Sequence, residues 1–270
     1  MIQKAMELLY LQYYQCMEVV HSDKFYSSYA EEKIRHSLQV AGAGNYLLRH
    51  IDRFKNKSPE YIEMVRTAVL LHDVCRFTEI SKLFKGIKQY DHGVAAYEFL
   101  ERTPLFDDIR IRLPIKHHGH LIQDLYDDDE YQNLPDELRE EVKKIAFVVR
   151  DADKIANFKM ITHEPDFLPL FMDINRQLTP EDLAISDHVK QNAFVENTIQ
   201  KPFYTVGDRI ALLLSWFMDI NYRASLDYCD KLGVTTLLFK MFDKYCGDTE
   251  FKLKYTAFIQ NHLNTHRFIE

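Results

Sequence analysis

The stretch TAVLLHDVCRF, residues 67–77, decides how the rest of the chain is interpreted. Its small and apolar first half is typical of a buried helix, and the run ends in the adjacent pair His72-Asp73. Imidazole and carboxylate groups are ligands for Mn, Fe, Zn and similar divalent ions. Neighbouring side chains on a helix diverge by about 100°, so this pair could hold one ion from two sides or bridge two ions. The prediction of a metal site therefore depends on ligands from other segments.

The composition of the chain indicates a large globular protein. It has 270 residues, of which 46% are hydrophobic, and this is enough for a sizeable core. With eight Gly and eight Pro, a turn-rich β-sandwich or barrel is disfavoured. The net charge of −7 disfavours a protein that coats nucleic acid. Four cysteines without a CxxC spacing indicate reduced thiols rather than a disulfide framework.

Two apolar segments bear on targeting and membranes. The N-terminal segment MIQKAMELLYLQYYQCMEVV is predicted to be helical, but Gln, Lys and Glu interrupt it too often for a signal peptide. The most apolar stretch, Ile210–Met218, is nine residues long and too short to span a bilayer. We therefore expect a cytoplasmic protein that does not contact a membrane.

Apolar residues recur at helical spacing along most of the chain, so the fold is predicted to be all-α. A helix predicted over residues 29–54 carries His36 on its apolar stripe. The sequence Ser58-Pro59-Glu60 is a typical helix start, and the helix it begins leads to His72-Asp73. Imidazole and carboxylate groups are therefore predicted at the inner faces or ends of several helices.

Further helices are predicted on the C-terminal side of this pair. One covers residues 91–102 and has His92 in its first turn, and a short one within 106–118 ends at His117 and His118. A long helix over 135–160 has Asp151 at the edge of its buried face. The predicted connections are 78–90, 119–135 with a solvated acidic run at 127–130, and an irregular segment over 163–180. Helices are predicted again over 181–200, 202–229, 231–246 and 248–266, with breaks at the glycines 207, 233 and 247.

The metal-capable residues follow one order along the chain: His36, His72, Asp73, His92, His117 or His118, and Asp151. A single buried histidine is more often a hydrogen-bonded core residue, but the joint order resembles the HD-domain superfamily of metal-dependent hydrolases. Four segments carry this resemblance: LLHDVCRF (70–77), YDHGVAAYEFL (90–100), PIKHHG (114–119) and VVRDADKIANF (148–158). Together with His36 they span residues 30–160.

The resemblance implies a helical core with one or two divalent ions, drawn from Fe, Mn, Ni, Co, Zn or Mg. It implies that one metal is held by four residues, namely His36, His72, Asp73 and Asp151. The additional His92 and His118 imply a second metal, with Asp73 as the bridge. Aligning Ile115 with the family's AIxxH segment places the ligand at His118, while His117 could instead face the substrate or bind a third metal. The segments also lack the GYP and HDxxED signatures of cyclic-dinucleotide phosphodiesterases and alarmone hydrolases.

The activity that the resemblance implies is hydrolysis of a phosphoester by a metal-activated water. Asp73, Arg76 and Lys154 are predicted to be catalytic, and the side chains predicted to contact the substrate are Arg76, Lys116, His117 and Lys154. Arg76 could alternatively hold Asp73 or Asp151 in place. The acidic balance of the chain favours a nucleotide or other small phosphate ester over a nucleic acid.

Two other functions stay open from the sequence alone. One is a di-iron oxygenase of the HD type, and the other is a non-enzymatic, metal-containing sensor or interaction domain. Residues 1–165 are predicted to form the HD core with an N-terminal helix, and residues 166–270 a helical extension packed on that core. The helices around Trp216 are predicted to belong to the core of this extension or to a homodimer interface.

Overall fold

The computed structural model describes residues 1–164, 174–195 and 202–270. Within these ranges the chain is helical, and the only β-type pairing is an isolated bridge between Tyr222 and Ile269. The prediction of an all-α fold is confirmed. The chain divides into two compact units, Met1–Asp153 and Lys154–Glu270, whereas the sequence analysis placed the boundary at residue 165. None of the described helices is both long and apolar enough to cross a membrane.

The helices that begin in the first unit are α1 (Ile2–Val20), α2 (Lys24–His50), α3 (Asp52–Lys55), α4 (Pro59–Leu71), α5 (Arg76–Phe84), α6 (His92–Glu101), α7 (Ile109–Lys116), α8 (Ile122–Tyr126), α9 (Asp129–Gln132) and α10 (Asp136–His163). The polar connection predicted over 78–90 is corrected, because α5 continues to Phe84 and buries Phe77 and Ile80. The loop predicted over 119–135 likewise contains α8 and α9.

Helix α4 delivers His72 and Asp73 to the interior of the first unit. The Ser58 side chain accepts a hydrogen bond from the Tyr61 N–H and caps the helix start, as predicted. Such a cap typically contributes about 1 kcal/mol. The last five residues of the helix, 67–71, are all buried. His72 and Asp73 follow at once, so their side chains enter a region that water does not reach.

The helices that begin in the second unit are α11 (Pro180–Leu183), α12 (Asp187–Asn192), α13 (Val206–Ser215), a 3₁₀ helix (Trp216–Asp219), α14 (Arg223–Lys231), α15 (Val234–Tyr245) and α16 (Thr249–Thr265). Gly233, with φ of 70°, separates α14 from α15 in the left-handed conformation that glycine favours. Gly207 is not a helix break, because it lies in the first turn of α13. A Cβ atom there would meet the Ala184 carbonyl oxygen at 2.4 Å.

Aromatic side chains fill much of the core of the second unit. The Phe158 and Phe217 ring centroids are 4.8 Å apart, and the Trp216 ring lies 5.9 Å from Phe158. Tyr255 is fully buried and stacks on Phe251. This places Trp216 beside the core, one of the two positions predicted for it. Residues 165–173 of the predicted irregular segment, and 196–201 at the end of a predicted helix, lie outside the described residues.

Candidate metal centre

The two carboxylate oxygens of Asp73 face different histidines. Oδ2 lies 3.8 Å from Nε2 of His72, while Oδ1 lies 3.2 Å from Nε2 of His92 and 3.4 Å from Nε2 of His118. Asp73 therefore belongs to two groups of possible metal ligands. We call His36, His72 and Asp73 the first group, and Asp73, His92 and His118 the second group. Within each group, one ligand atom per residue lies within 4.8 Å of the others.

His72 presents a buried lone pair to the first group. Its Nδ1 lies 2.9 Å from the Val69 carbonyl oxygen, which can only accept, so in the neutral ring Nδ1 carries the proton. Burial lowers the pKa of His72 to about 3, so the ring is neutral at pH 7. Its Nε2 is buried and has no hydrogen-bond partner within the described part of the chain. A buried acceptor without a partner is costly, and a divalent cation at this position would satisfy it.

The carboxylate that faces His36 and His72 is that of Asp153. Its Oδ1 lies 2.9 Å from Nε2 of His36 and 3.8 Å from Nε2 of His72. Burial by itself would raise the pKa of Asp153, but the hydrogen bond and electrostatic attraction from His36 hold it well below its usual value. Asp151, the acid predicted from the sequence, is fully buried and lies two residues earlier on α10. Residues two apart on a helix point about 200° apart, so Asp153 is the acid that faces His36 and His72, and the role predicted for Asp151 stays a prediction.

Arg150 marks the side of α10 that faces the site. Its Nη1 donates to the carbonyl oxygens of His117 and His118, at 2.9 and 3.2 Å. Asp153 lies three residues after Arg150 and therefore on the same side of the helix. The apolar pattern could not show this, because every residue from 145 to 152 is buried and the helix has no solvated face there. The contact made by Arg150 is visible only in the structure.

The second group brings three acceptor atoms close together. His118 Nδ1 lies 2.7 Å from the Ile115 carbonyl oxygen, so its Nε2 presents a lone pair when the ring is neutral. The two Nε2 atoms of His92 and His118 are 3.3 Å apart, and Asp73 Oδ1 lies 3.2 to 3.4 Å from both. Ligand atoms 2.0 to 2.2 Å from a tetrahedral ion lie roughly 3.3 to 3.6 Å apart. The spacing of this group therefore fits a cation.

A search against family models matches residues 34–157 to the HD domain. Residues 34–157 form an HD domain. The matched residues include both groups of ligands and Asp153, and the family assignment made from the sequence is confirmed. Comparison with curated proteins and with solved structures gives no significant match. HD domains bind divalent metals, and the family is generally one of metal-dependent hydrolases.

Arg76 lies against the second group of the HD domain. Its Nη2 is 2.8 Å from Nε2 of His92, its Nε is 3.4 Å from Oδ1 of Asp73, and its Nη1 is 2.5 Å from a carboxylate oxygen of Glu79. Burial alone would lower the pKa of Arg76, but the carboxylates of Asp73 and Glu79 raise it. The contact with Asp73 is the alternative role predicted for Arg76. Glu79 was not predicted to be near the site, because the polar residues around it indicate a connection, whereas it lies in α5.

His117 and Lys116 meet at Asp128 rather than in either ligand group of the HD domain. Asp128 Oδ2 lies 2.8 Å from Nε2 of His117 and 2.5 Å from Nζ of Lys116. Burial would raise the pKa of Asp128, but these two hydrogen bonds lower it to about 2. Its side chain is only 7% exposed and caps α9, so it is not part of a solvated run as predicted. Of the two adjacent histidines, His118 is the one placed in the second group.

Two further cations complete the description. Lys33 was missed by the sequence analysis, yet its Nζ lies 3.8 Å from Oδ2 of Asp73 and its side chain is 19% exposed. The only sequence signal was its position three residues before His36, on the same side of α2. Lys154, predicted to be catalytic and to contact the substrate, pairs with Asp219 at 2.6 Å within the second unit. The roles predicted for Lys154 stay predictions.

Proposed function

We propose that the protein is a metal-dependent phosphohydrolase that cleaves a nucleotide or other small phosphate ester. The observation that carries this proposal is Asp73, whose two oxygens face two sets of imidazole nitrogens inside an HD domain. Divalent ions held there would activate a water for attack on phosphorus and offset the charge that develops on the phosphate oxygens. Two ligand groups that share one carboxylate support a site for two ions.

The chain's own residues hold the ligands in fixed orientations. Backbone carbonyl oxygens of Val69 and Ile115 fix the rings of His72 and His118 through their Nδ1 atoms. Such outer hydrogen bonds set which imidazole nitrogen is free to bind a metal. Asp73 is 2% exposed, so its carboxylate cannot turn towards solvent. The rings of His72 and His118 are therefore already oriented to bind a cation.

Two protein cations near Asp73 support an anionic substrate. Lys33 lies beside Oδ2 of Asp73 and Arg76 beside Oδ1. The side chains of Lys33 and Arg76 are 19% and 21% exposed, so a solute can reach them from water. Lysine and arginine are the side chains that proteins use to bind phosphate oxygens. We infer that these two residues position the phosphate group for attack by the activated water.

Tyr29 supports a nucleotide within this class of substrates. It lies one helical turn before Lys33 on α2, and Lys33 Nζ is 5.9 Å from the centre of its ring. The Tyr29 side chain is partly exposed, so a solute can reach it from water. A base bound near Tyr29 would stack on an aromatic ring while its phosphate reached Lys33.

The test is a panel of phosphoesters given to protein that has been purified without chelators and analysed for metal. We expect bound divalent metal and hydrolysis of one or more nucleotides or small esters, with activity lost in Asp73→Ala. Metal-loaded protein that cleaves no ester in the panel would contradict the proposal and favour a sensor or interaction domain. Bound iron with consumption of O₂ would favour the oxygenase instead.

A further inference from the structure

Arg76 makes a contact that a metal ion at the second group cannot share. Arginine only donates hydrogen bonds, so Nε2 of His92 must be the acceptor of the 2.8 Å contact with Arg76 Nη2. A neutral imidazole has one acceptor nitrogen, with a single lone pair in the plane of the ring. That lone pair can point at the guanidinium or at a metal ion, but not at both. The guanidinium and a second ion therefore compete for His92.

Glu79 gives the displaced arginine a place to remain. Its carboxylate lies 2.5 Å from Nη1 of Arg76 and 3.5 Å from Nδ1 of His92. The carboxylate attracts the protonated Nδ1 of His92, which leaves Nε2 as the acceptor. Its bond to Arg76 uses a different nitrogen from the one that meets His92. Arg76 can thus leave His92 and stay tethered to Glu79, one turn further along α5.

Within the described residues, no cationic side chain is hydrogen-bonded to the rings of His36 or His72, although Nε2 of His36 donates to Asp153. Nε2 of His72 is buried without a hydrogen-bond partner in the described residues, and the nearby Asp153 adds a second negative charge. The cation on this side is Lys33, whose Nζ is 3.8 Å from Asp73 Oδ2, beyond hydrogen-bond distance. Among the described residues, Asp73 is thus hydrogen-bonded to a guanidinium at Oδ1 but not at Oδ2.

We propose that Arg76 occupies the second ion's place at His92 when a single ion is bound, so that the second ion binds only by displacing it. The inference rests on the proposed function only in taking the two groups as metal ligands. The first ion binds tightly to the first group and Asp153. The second ion binds more weakly, and its binding frees Nη2 of Arg76 to donate to a phosphate oxygen of the substrate. Arg76 therefore has two successive roles: it holds His92 before the second ion binds, and it binds the phosphate group afterwards.

The experiment is a stepwise titration of the metal-free protein with Mn²⁺. Binding is measured by calorimetry and by the electron paramagnetic resonance signal of free Mn²⁺. For the unmodified protein we expect one tight and one weak equivalent. Loss of the contact in Arg76→Met should tighten the second equivalent by roughly tenfold to a hundredfold. The first equivalent should change much less, because Arg76 bonds to His92, to Glu79 and to Oδ1 of Asp73, the oxygen that faces the second group.

Lys33→Met is the matched control, since it also removes one positive charge beside Asp73. This variant should bind the first Mn²⁺ equivalent slightly more tightly and the second with unchanged affinity. A general charge effect would instead change the affinity for the second equivalent equally in both variants. His92→Ala added to Arg76→Met should abolish the tightened second equivalent. The inference would be overturned if Arg76→Met bound the second Mn²⁺ equivalent with unchanged or lower affinity. It would also be overturned if Lys33→Met changed that affinity as much as Arg76→Met does.

These outcomes separate the inference from the proposed function. If the protein binds two Mn²⁺ ions tightly whether or not Arg76 is present, the competition by Arg76 is contradicted but the metal centre is not. If the protein binds no divalent ion at all, both the competition by Arg76 and the proposed metal-dependent function are contradicted. Circular dichroism of Arg76→Met should match that of the unmodified chain, and the first equivalent itself reports that the site has folded.

Discussion

The two groups of ligands share Asp73 and differ in what surrounds them. The first group is sealed from water at His72 and is joined by the carboxylate of Asp153. The second group includes His92, which is 15% exposed and is already hydrogen-bonded to Arg76. Burial and negative charge favour a permanently bound cation on one side. At the second group, a cation can bind only if it displaces the guanidinium of Arg76.

This difference shows why two similar sets of donors need not bind metal equally. Both sets offer imidazole Nε2 atoms and one oxygen of the same aspartate. Affinity also depends on charges that never touch the ion and on hydrogen bonds that must break before it can bind. In this protein both effects act in the same direction, so the first group should fill before the second.

The largest expected effect comes from removing the residue that the two groups share. In Asp73→Ala, both ions lose a ligand, so activity should fall by about a thousandfold or more. Elemental analysis should find little divalent metal in the purified variant. Far-ultraviolet circular dichroism should keep its helical signal, because the backbone of α4 is held by its buried face. Normal metal content in this variant would show that the groups are not the metal site.

The next largest effect distinguishes the two acids of α10. Asp153→Asn should reduce the affinity for the first ion at least roughly 10- to 100-fold, the loss expected when a hydrogen-bond partner of a metal ligand is removed. Asp151→Asn is the matched control, with the same chemical change two residues away, and should leave metal affinity within a few-fold. Both affinities are measured by titration with Mn²⁺. The reverse ranking would restore Asp151, the residue chosen from the sequence, as the ligand.

A smaller effect is expected at the adjacent histidines of the second group. His118→Ala should weaken only the second ion, by roughly 10- to 100-fold, because its Nε2 faces Asp73. His117→Ala should leave both metal equivalents in place, since its Nε2 is bonded to Asp128. Calorimetric titration of the two variants side by side checks this. Equal losses at both positions would show that the 116–128 segment rearranges when metal binds.

The smallest effect concerns the stability of the metal-free protein at acid pH. The pKa of His72 is about 3 in the folded protein and about 6.5 in an unfolded chain. Between these values the unfolded state takes up a proton that the folded state refuses. Stability should therefore fall as pH decreases below about 6.5, by up to about 1.4 kcal/mol per pH unit from this residue. Urea unfolding at pH 7 and pH 5.5 measures the change.

His72→Gln is the control for this pH dependence, because glutamine does not titrate. The variant should lose less stability between pH 7 and pH 5.5 than the unmodified chain. Other buried histidines with lowered pKa values, His92 and His117, act in the same direction and set the slope that remains. Identical slopes for the two proteins would contradict a neutral, buried His72.

Much of the fold could be predicted from the sequence, because helical periodicity and capping residues are local signals. Ser58 and Gly233 mark helix ends through rules that involve only nearby residues. Segment 78–90 was predicted to be a connection because it is mostly polar, and one of the two buried side chains of α5, Phe77, lies before it while the other is Ile80. Helices with a narrow apolar face are difficult to recognise without the surface they cover.

The candidate site was predictable in its order of residues but not in its details. Asp151 and Asp153 differ only in which side of a fully buried helix they occupy, and no pattern of apolar residues distinguishes them. Lys33 and Glu79 are charged residues of a kind that usually lies in solvent. Their positions beside Asp73 and Arg76 depend on helices that are distant in sequence and adjacent in the fold.

Anomalous diffraction at the Mn edge from crystals of the protein is the most direct test of a metal centre organised around Asp73. At one equivalent of Mn²⁺, the account predicts a single peak bounded by His36, His72, Asp73 and Asp153. At high Mn²⁺ it predicts a second peak at His92 and His118, with Arg76 moved off His92 towards Glu79. A strongest peak at any site that Asp73 does not contact would contradict the account.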